Sequence, residues 1–340
     1  MSNRKNKAPT ILDVADLAGV SVGSVSRYLN GEQLRKKNRE SIAAAIEKLS
    51  YSRNTSAANI RRKSSGFIGF LLPSFDEFHT GVLEEIVNQF TPKGYVVLPF
   101  SHGDQGSFLK GALEYFKAQK VDAIIASGDL GFFKSMDILQ DIDVPLILYS
   151  NDIQGMNVDR VLIDDRKASK HAVKYMIEMG HTNIAILTGD LNDSTAIDRK
   201  RGYDEALASA ELTEISAHNA AGNGWHTHHG YIGTLDLYKG ENKPTAIFAS
   251  NYFLALGAVQ ALEELNLKIP NDVSIISFGD ASFLPFVTGG ITAVSFSAKE
   301  IGRHICDFAL SRITDQSAKS SRTYIHQPSL VVRNSVSRPK

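Results

Sequence analysis

The sequence has little cysteine, no long apolar run and no excess of charge of either sign. Cys306 is the single cysteine among 340 residues, which excludes an intrachain disulfide framework and suits a reducing compartment. No apolar run approaches the roughly 20 residues of a membrane span, and no apolar signal segment follows the basic N-terminus. We therefore expect a cytoplasmic protein of two or three domains that does not contact a membrane.

The charge is balanced overall but unevenly distributed. Residues 1–65 contain 13 Lys and Arg against 5 Asp and Glu, whereas the remaining residues contain 24 against 32. A basic N-terminal part joined to an acidic body indicates a nucleic-acid-binding head. The 43% hydrophobic content is ordinary for a globular protein, so the body has enough apolar residues for a large core.

The stretch Thr10–Asn30 predicts two short helices joined by a tight turn. Apolar residues recur at helical spacing within Ile11–Ala18, and Gly19 ends that helix because glycine adopts positive φ without strain. Ser21 is a natural N-cap for a second helix, which turns Val25 inward. Five of its residues are predicted to point outward: Val22, Gly23, Ser24, Ser26 and Arg27. This is the helix-turn-helix pattern, in which the second helix enters the DNA major groove, although an ordinary helical hairpin would have the same spacing.

Composition divides the chain into four segments. Residues 1–9 form a basic lead that we expect to be disordered. A third helix from about Arg39 to Leu49 completes a helix-turn-helix domain over residues 10–52. Residues 53–65 are small, polar and basic, which predicts a hinge or linker. Residues 66–340 form the core.

The core alternates apolar strands with amphipathic helices. Segments such as F-I-G-F-L-L from Phe67 and A-I-F-A-S from Ala246 are continuously apolar, as strands buried on both faces are. The alternation restarts after Asp164, so we expect two lobes of similar size, each a doubly wound parallel sheet. Ligands of such sheets bind beyond the carboxyl ends of the strands, which here predicts a cleft between the lobes.

These motifs together resemble the lactose/galactose repressor family of bacterial transcription regulators. The resemblance begins with T-I-L-D-V-A-D-L-A-G-V-S-V-G-S-V-S-R-Y-L-N-G and continues through W-H-T-H-H-G-Y and F-A-S-N-Y-F-L-A-L-G-A to P-S-L-V-V-R-N-S, so it spans essentially the whole chain. It implies a small all-α helix-turn-helix head on an α/β periplasmic-binding-protein-like core that binds an effector and dimerises. The implied function is a regulator, most often a repressor, that binds double-stranded operator DNA as a homodimer under control of a small molecule.

The resemblance also implies which residues contact DNA. It places Val22, Gly23 and Arg27 at base edges, where arginine can bridge O6 and N7 of guanine. Phosphate contacts are implied for Thr10, Ser21, Ser24, Ser26 and Asn30. The hinge matches at Tyr51, Asn54, Ala57 and Ile60. Ile60 stands where the family inserts a leucine into the minor groove, although a β-branched side chain is stiffer.

The implied effector residues lie in the core: Phe75, Phe78, Arg199, Trp225, Asn251, Asp280 and Phe296. Two positions depart from the family, because Gly279 and Tyr252 stand where aspartate is usual. We therefore expect a pocket that has lost carboxylates and gained aromatic surface. A carbohydrate is the first expectation for the effector. The second is a less hydroxylated or acidic ligand, or a phosphorylated sugar held by Arg199 and nearby His or Lys.

Other functions are less well supported by the residues. His226, His228 and His229 invite a zinc interpretation, but their spacing is poor for metal binding and no cysteine is near, so we expect neither metal nor cofactor. No nucleophile–base pattern is present, and we expect no enzymatic activity. The alternatives are a solute-binding receptor of a transport system, a sugar-processing enzyme with an accessory head, and an activator or corepressor-dependent regulator of non-sugar metabolism.

Overall fold

The computed structural model describes residues 9–29, 32–51, 64–103, 108–127, 144–153, 155–212, 219–221, 224–315 and 320–340. The chain divides into two compact units, Met1–Gly66 and Phe67–Lys340. Within the described residues, no helix is long and apolar enough to span a membrane.

The first unit is a bundle of three helices: α1 (Ile11–Ala18), α2 (Val22–Leu29) and α3 (Lys36–Leu49). Thr10 and Asp13 form a reciprocal capping box at the start of α1, and Gly19 ends the helix at φ 64°. The core consists of five buried side chains: Val14, Ala15, Val25, Ile42 and Ala45. The predicted start of α3 at Arg39 was three residues late, because its first turn is polar and exposed and gives no apolar period.

The first lobe of the core contains a parallel sheet with helices on its faces. Its strands are β1 (Phe67–Leu72), β2 (Val96–Ser101), β3 (Ala123–Ala126), β4 (Leu146–Ser150), β5 (Asp159–Ile163) and β11 (Thr323–His326), in the spatial order β11-β5-β4-β3-β1-β2. Its helices are α4 (Glu77–Phe90) and α5 (Leu109–Gln119). Strands β1 and β3 are almost entirely buried, and the three central residues of β4 are buried, as their apolar sequences predict.

The second lobe repeats this plan. Its strands are β6 (Ile184–Thr188), β7 (Asn219–Ala221), β8 (Ala246–Ala249), β9 (Ser274–Phe278), β10 (Thr292–Ser295) and β12 (Ser329–Val331), in the order β12-β10-β9-β8-β6-β7. Its helices are α6 (Asp165–Glu178), α7 (Ser194–Ser209), α8 (Thr227–Lys239) and α9 (Tyr252–Glu264). Strand β12 pairs with β10 in the antiparallel direction, so the sheet is mostly rather than wholly parallel.

The chain passes between the lobes after β5, after β10 and between β11 and β12. The last helix, α10 (Ala298–Thr314), follows β10 but packs against α4 of the first lobe. Gly302 makes this close packing possible, because a Cβ there would lie 2.8 Å from Cβ of Glu85. The predicted fold class, a helical head on a core of two doubly wound lobes, is confirmed.

Candidate DNA-binding helix and ligand cleft

Helix α2 exposes only some of the residues that were predicted to point outward. Ser21, Gly23 and Arg27 are exposed, Val22 and Ser26 are half-buried, and Ser24 is buried. The prediction that Ser24 points outward was wrong, because its hydroxyl lies 3.0 Å from the Ser21 hydroxyl and its backbone N–H donates to the same oxygen. Nε of Arg27 donates to the carbonyl of Gly23 at 3.4 Å, and Arg27 is exposed.

The other predicted DNA contacts have local structural partners or lie outside the described residues. The Thr10 side chain is exposed, but its hydroxyl and its backbone N–H both donate to Asp13 at 2.7 Å. Tyr51 is half-buried against the core of the head. Asn30, Asn54, Ala57 and Ile60 lie outside the described residues, so the structure places none of them.

A cleft lies between the two lobes of the core. It encloses about 1070 Å³, including its open mouth, and residues that follow β1, β4, β6, β8 and β10 line it. This is the position expected for the ligand of a two-lobed α/β protein. Five of the seven predicted effector residues line it: Phe78, Arg199, Trp225, Asn251 and Phe296.

The other two predicted effector residues do not line the cleft. The Phe75 side chain is 58% exposed to solvent. The Asp280 carboxylate accepts hydrogen bonds from Nη1 and Nη2 of Arg333 at 2.7 and 2.8 Å. This pair joins β9 and the C-terminal segment, so Asp280 has a structural partner that sequence position alone does not reveal.

Arg199 is anchored through two nitrogens of its guanidinium. Nε donates to Asp165 at 2.7 Å, Nη1 donates to the carbonyl of Ser250 at 2.6 Å, and the group lies 3.8 Å from the ring centre of Phe278. Burial raises the pKa of Asp165 to about 6, against the opposing effect of Arg199. Arg199 is only 8% exposed, and it is one of the residues that line the cleft.

Trp225 lies flat on the backbone of Gly189. A Cβ at Gly189 would be 2.3 Å from Cε2 of the indole, so only glycine allows this contact. The indole N–H donates to Oδ2 of Asp193 at 3.2 Å. Asn251 supports the same wall, because its Nδ2 donates to the Trp225 carbonyl at 2.9 Å and its Oδ1 caps α9 at the N–H of Leu254.

The polar side of the cleft was not predicted from the sequence. Carboxylates of Asp76, Asp190 and Asp193 line it, so the cleft has acidic acceptors although positions 252 and 279 carry none. Asp76 and Asp193 are N-caps of α4 and α7, and a capping aspartate gives no separate signal of ligand binding. His79 also lines the cleft, and burial lowers its pKa to about 4, so its ring is neutral at physiological pH.

Hydrogen bonds join the lobes on both sides of the cleft. On one side, Nδ2 of Asn151 donates to Oδ1 of Asp193 at 2.6 Å, and the backbone N–H of Asp152 donates to Ser194 at 3.0 Å. On the other, the Glu77 carboxylate accepts from the backbone N–H and the hydroxyl of Ser282. The chain's own groups therefore join the two lobes on both sides of the cleft.

The described residues contain no group of three His, Cys, Asp or Glu side chains that could hold a metal ion. The rings of His226 and His229 stack at 5.9 Å. What the cleft offers chemically is binding: aromatic faces, carboxylate acceptors and one guanidinium.

Comparison with known proteins agrees with this architecture. Residues 10–54 match the model of bacterial regulatory proteins of the lacI family, and residues 173–336 match a periplasmic binding protein-like domain. The HTH-type transcriptional repressor PurR of Haemophilus influenzae is 29% identical over 334 residues, which cover 96% of this chain and 98% of the relative. The ribose operon repressor of the same species is 28% identical, with the same coverage of both chains.

Among solved structures, the lac repressor dimer bound to operator and the anti-inducer ONPF superimposes with a TM-score of 0.81. The superposition covers 97% of this chain and 100% of that chain at 24% identity, a similarity that establishes the fold.

Proposed function

Because the chain belongs to the lacI family of bacterial regulatory proteins and is a DNA-binding transcriptional regulator, we propose that it is a repressor controlled by a small uncharged polyhydroxyl ligand. It acts in the cytoplasm as a homodimer that binds a palindromic operator. The ligand, most simply a carbohydrate, binds in the cleft of the core. The observation that carries this proposal is the chemical character of the cleft lining.

The charges on the cleft lining favour a neutral ligand. Among the described lining residues, the carboxylates of Asp76, Asp190 and Asp193 outnumber the single guanidinium of Arg199. A phosphorylated or acidic ligand would meet three like charges, whereas sugar hydroxyls can donate to these carboxylates. The flat faces of Trp225 and other aromatic lining residues suit the C–H face of a sugar ring.

DNA binding is assigned to the exposed part of α2. Arg27 is exposed and can reach guanine in the major groove, while Gly23 contributes no side chain at the neighbouring step. Val22 and Ser26 are half-buried and offer smaller contacts, and Ser21, Thr10 and Asn30 are proposed to approach phosphates. The hinge residues Tyr51, Asn54, Ala57 and Ile60 are proposed to contact the minor groove between the half-sites.

Ligand and DNA are coupled through the lobes. A ligand that contacts both lobes can shift the equilibrium between two relative arrangements of the lobes. The size of that shift is set by the difference between its affinities for the two arrangements. Because binding free energies are reciprocal, the factor by which ligand changes operator affinity equals the factor by which operator changes ligand affinity. The polar bonds across the cleft, such as Asn151 to Asp193, are the contacts that this shift would break or replace.

The DNA part is tested by selecting duplexes from a random library with the full-length protein. The expected result is a palindromic consensus. Arg27→Ala should weaken binding to that consensus by roughly 1–3 kcal/mol and relax selection at one base pair of each half-site. Lys48→Ala, which removes an exposed charge at the end of α3, serves as the matched control. Equal losses on selected and random DNA would show that Arg27 contacts only phosphate.

The ligand part is tested through Trp225, the only tryptophan of the chain. Neutral pentoses and hexoses are titrated while its fluorescence is followed, with their phosphate esters as matched anionic controls. The proposal expects a saturable change with a neutral sugar. A saturable response confined to the phosphate esters would contradict the assignment of a neutral ligand.

A further inference from the structure

His326 lies where the three interlobe crossings meet, which are the chain segments that follow β5, β10 and β11. It is the last residue of β11, at the start of the third crossing, and only 6% of it is exposed. Its carbonyl accepts at 3.0 Å from the backbone N–H of Asp164, which follows β5 in the first crossing. Nε2 of its ring accepts at 3.3 Å from the backbone N–H of Ser297, which lies between β10 and α10 in the second crossing. His326 therefore contacts both of the other crossings.

The bond with Ser297 determines where the ring of His326 carries its proton. A nitrogen that accepts from an N–H has no hydrogen of its own, so the neutral ring has its hydrogen on Nδ1. Nδ1 is buried and has no hydrogen-bond partner among the described residues, and Oε2 of Glu300 lies 3.6 Å from it. The other oxygen of that carboxylate accepts from the Tyr324 hydroxyl at 2.6 Å. A second ring proton would have to occupy Nε2, where it would face the N–H of Ser297 and abolish the bond.

The surroundings of His326 keep its ring neutral at physiological pH. The elements around it contribute charged or titratable groups: Glu300 and His304 from α10, Asp164 from the first crossing and Lys167 from α6. Burial lowers the pKa of His326 below its usual value, His304 acts in the same direction, and Glu300 opposes them. The ring therefore takes up its second proton only as the pH falls below about 6.5, the usual pKa of histidine.

We propose that His326 is a positioning residue for the two lobes: its neutral ring ties the second crossing to the third, and a proton on Nε2 unties them. Relative movements of lobes are absorbed by a few residues at the ends of elements, and the crossings are the segments that join these lobes covalently. A proton on His326 would therefore loosen the segments on which the arrangement of the lobes depends. As an influence on operator binding this effect rests on the proposed function, whereas the tie itself does not.

The tie is tested by hydrogen exchange of the full-length protein, measured by mass spectrometry without ligand or DNA. His326→Gln supplies an acceptor oxygen near the place of Nε2 and does not titrate, whereas His326→Leu retains an apolar side chain and has no acceptor. At pH 8, peptides that contain Ser297 or Asp164 should exchange at the wild-type rate in His326→Gln and roughly 2–10-fold faster in His326→Leu. As the pH falls from 8 to 5, the wild type should move from the rate of His326→Gln towards that of His326→Leu. Comparing the proteins at each pH cancels the pH dependence of intrinsic exchange.

Two controls separate the tie from a general effect on stability. His304→Gln removes the neighbouring titratable ring, which stacks on Tyr324, and should keep the pH response. Peptides from β1 and β6, which lie inside the two lobes, should exchange equally in all the proteins at each pH. A wild type that follows His326→Gln down to pH 5, a response lost in His304→Gln, or equal acceleration in β1 and β6 would overturn the proposal.

The pair of wild type and His326→Gln decides the question if His326→Leu does not fold. Because neither ligand nor operator is present, failure of the tie can be distinguished from failure of the proposed function.

Discussion

The contact between Gly189 and Trp225 is the most sharply testable feature of the cleft. In Gly189→Ala, the new methyl carbon would lie 2.3 to 2.5 Å from three atoms of the indole. Carbon atoms in contact are about 3.5–4.0 Å apart, so the ring must retreat by roughly 1 Å. The indole N–H is already 3.2 Å from Asp193, and that hydrogen bond would break.

The cost of Gly189→Ala has three parts. Overpacking costs about 1–3 kcal/mol, and loss of a hydrogen bond to a charged group costs about 1.5–3 kcal/mol. Replacing glycine by alanine offsets about 0.4–1 kcal/mol of this cost, because alanine lowers the conformational entropy of the unfolded chain. We expect the free energy of unfolding of the core to fall by roughly 2–4 kcal/mol, with the three contributions partly overlapping.

The assay is urea unfolding followed by circular dichroism, together with the emission maximum of Trp225. Gly189→Ala should lower the unfolding midpoint and shift the emission to longer wavelength, because the displaced indole becomes more hydrated. Gly240→Ala is the matched control, since nothing lies within 4 Å of a Cβ there and its φ is −78°. Identical midpoints and emission maxima for the two variants would refute the close contact.

Further predictions concern buried carboxylates. Asp159→Ala should lower the free energy of unfolding by about 3 kcal/mol in urea titrations, because it leaves Arg312 and Arg322 without their shared buried partner. The control is Asp204→Ala, which breaks the ion pair with Lys200 and should lower the free energy of unfolding by about 0.5 kcal/mol or less. Equal losses in the two variants would contradict the prediction. Burial of Asp159 opposes the hydrogen bonds from the two arginines, but these prevail and lower its pKa to about 2. The contribution of Asp159 to the free energy of unfolding should therefore be complete above about pH 4. As the pH falls towards 2, the difference in this free energy between the wild type and Asp159→Ala should shrink, which acid titration of both proteins would check. The pH dependence of Asp165 is opposite, because burial raises its pKa to about 6. As the pH rises from about 4 to about 6, the free energy of unfolding of the wild type should fall, whereas that of Asp165→Asn should not. Urea titrations across this range that give parallel slopes for the two proteins would contradict this prediction.

The helical head was predictable because its determinants are local. The capping pair Thr10 and Asp13, the stop at Gly19 and the spacing of Val14 and Val25 all act within a few residues. The prediction for Ser24 failed because the hydropathy of serine favours neither the buried nor the exposed face of α2. Only the hydrogen bond between the Ser24 and Ser21 hydroxyls shows which way the side chain points.

The cleft was predictable only in part, because its partners are distant in sequence. The motif residues Arg199 and Trp225 do line it, whereas Asp193 was missed because it serves at once as a helix cap and as the partner of Asn151, 42 residues away. Asp280 was assigned to the cleft from its place after a strand, and a pairing across 53 residues with Arg333 engages it elsewhere. A sequence pattern indicates the role of a residue among its neighbours in the chain. The lining of the cleft depends instead on which distant chain segments the two sheets bring together.

The proposed function depends on control of operator binding by a neutral ligand in the cleft. It is tested most directly by the anisotropy of a labelled consensus duplex bound to the full-length protein, titrated with neutral sugars and with their phosphate esters. One neutral sugar is expected to change operator affinity by roughly 5–150-fold, whereas its phosphate ester is expected to leave it unchanged. A change produced by phosphate esters alone, or an operator affinity that no sugar alters, would contradict it.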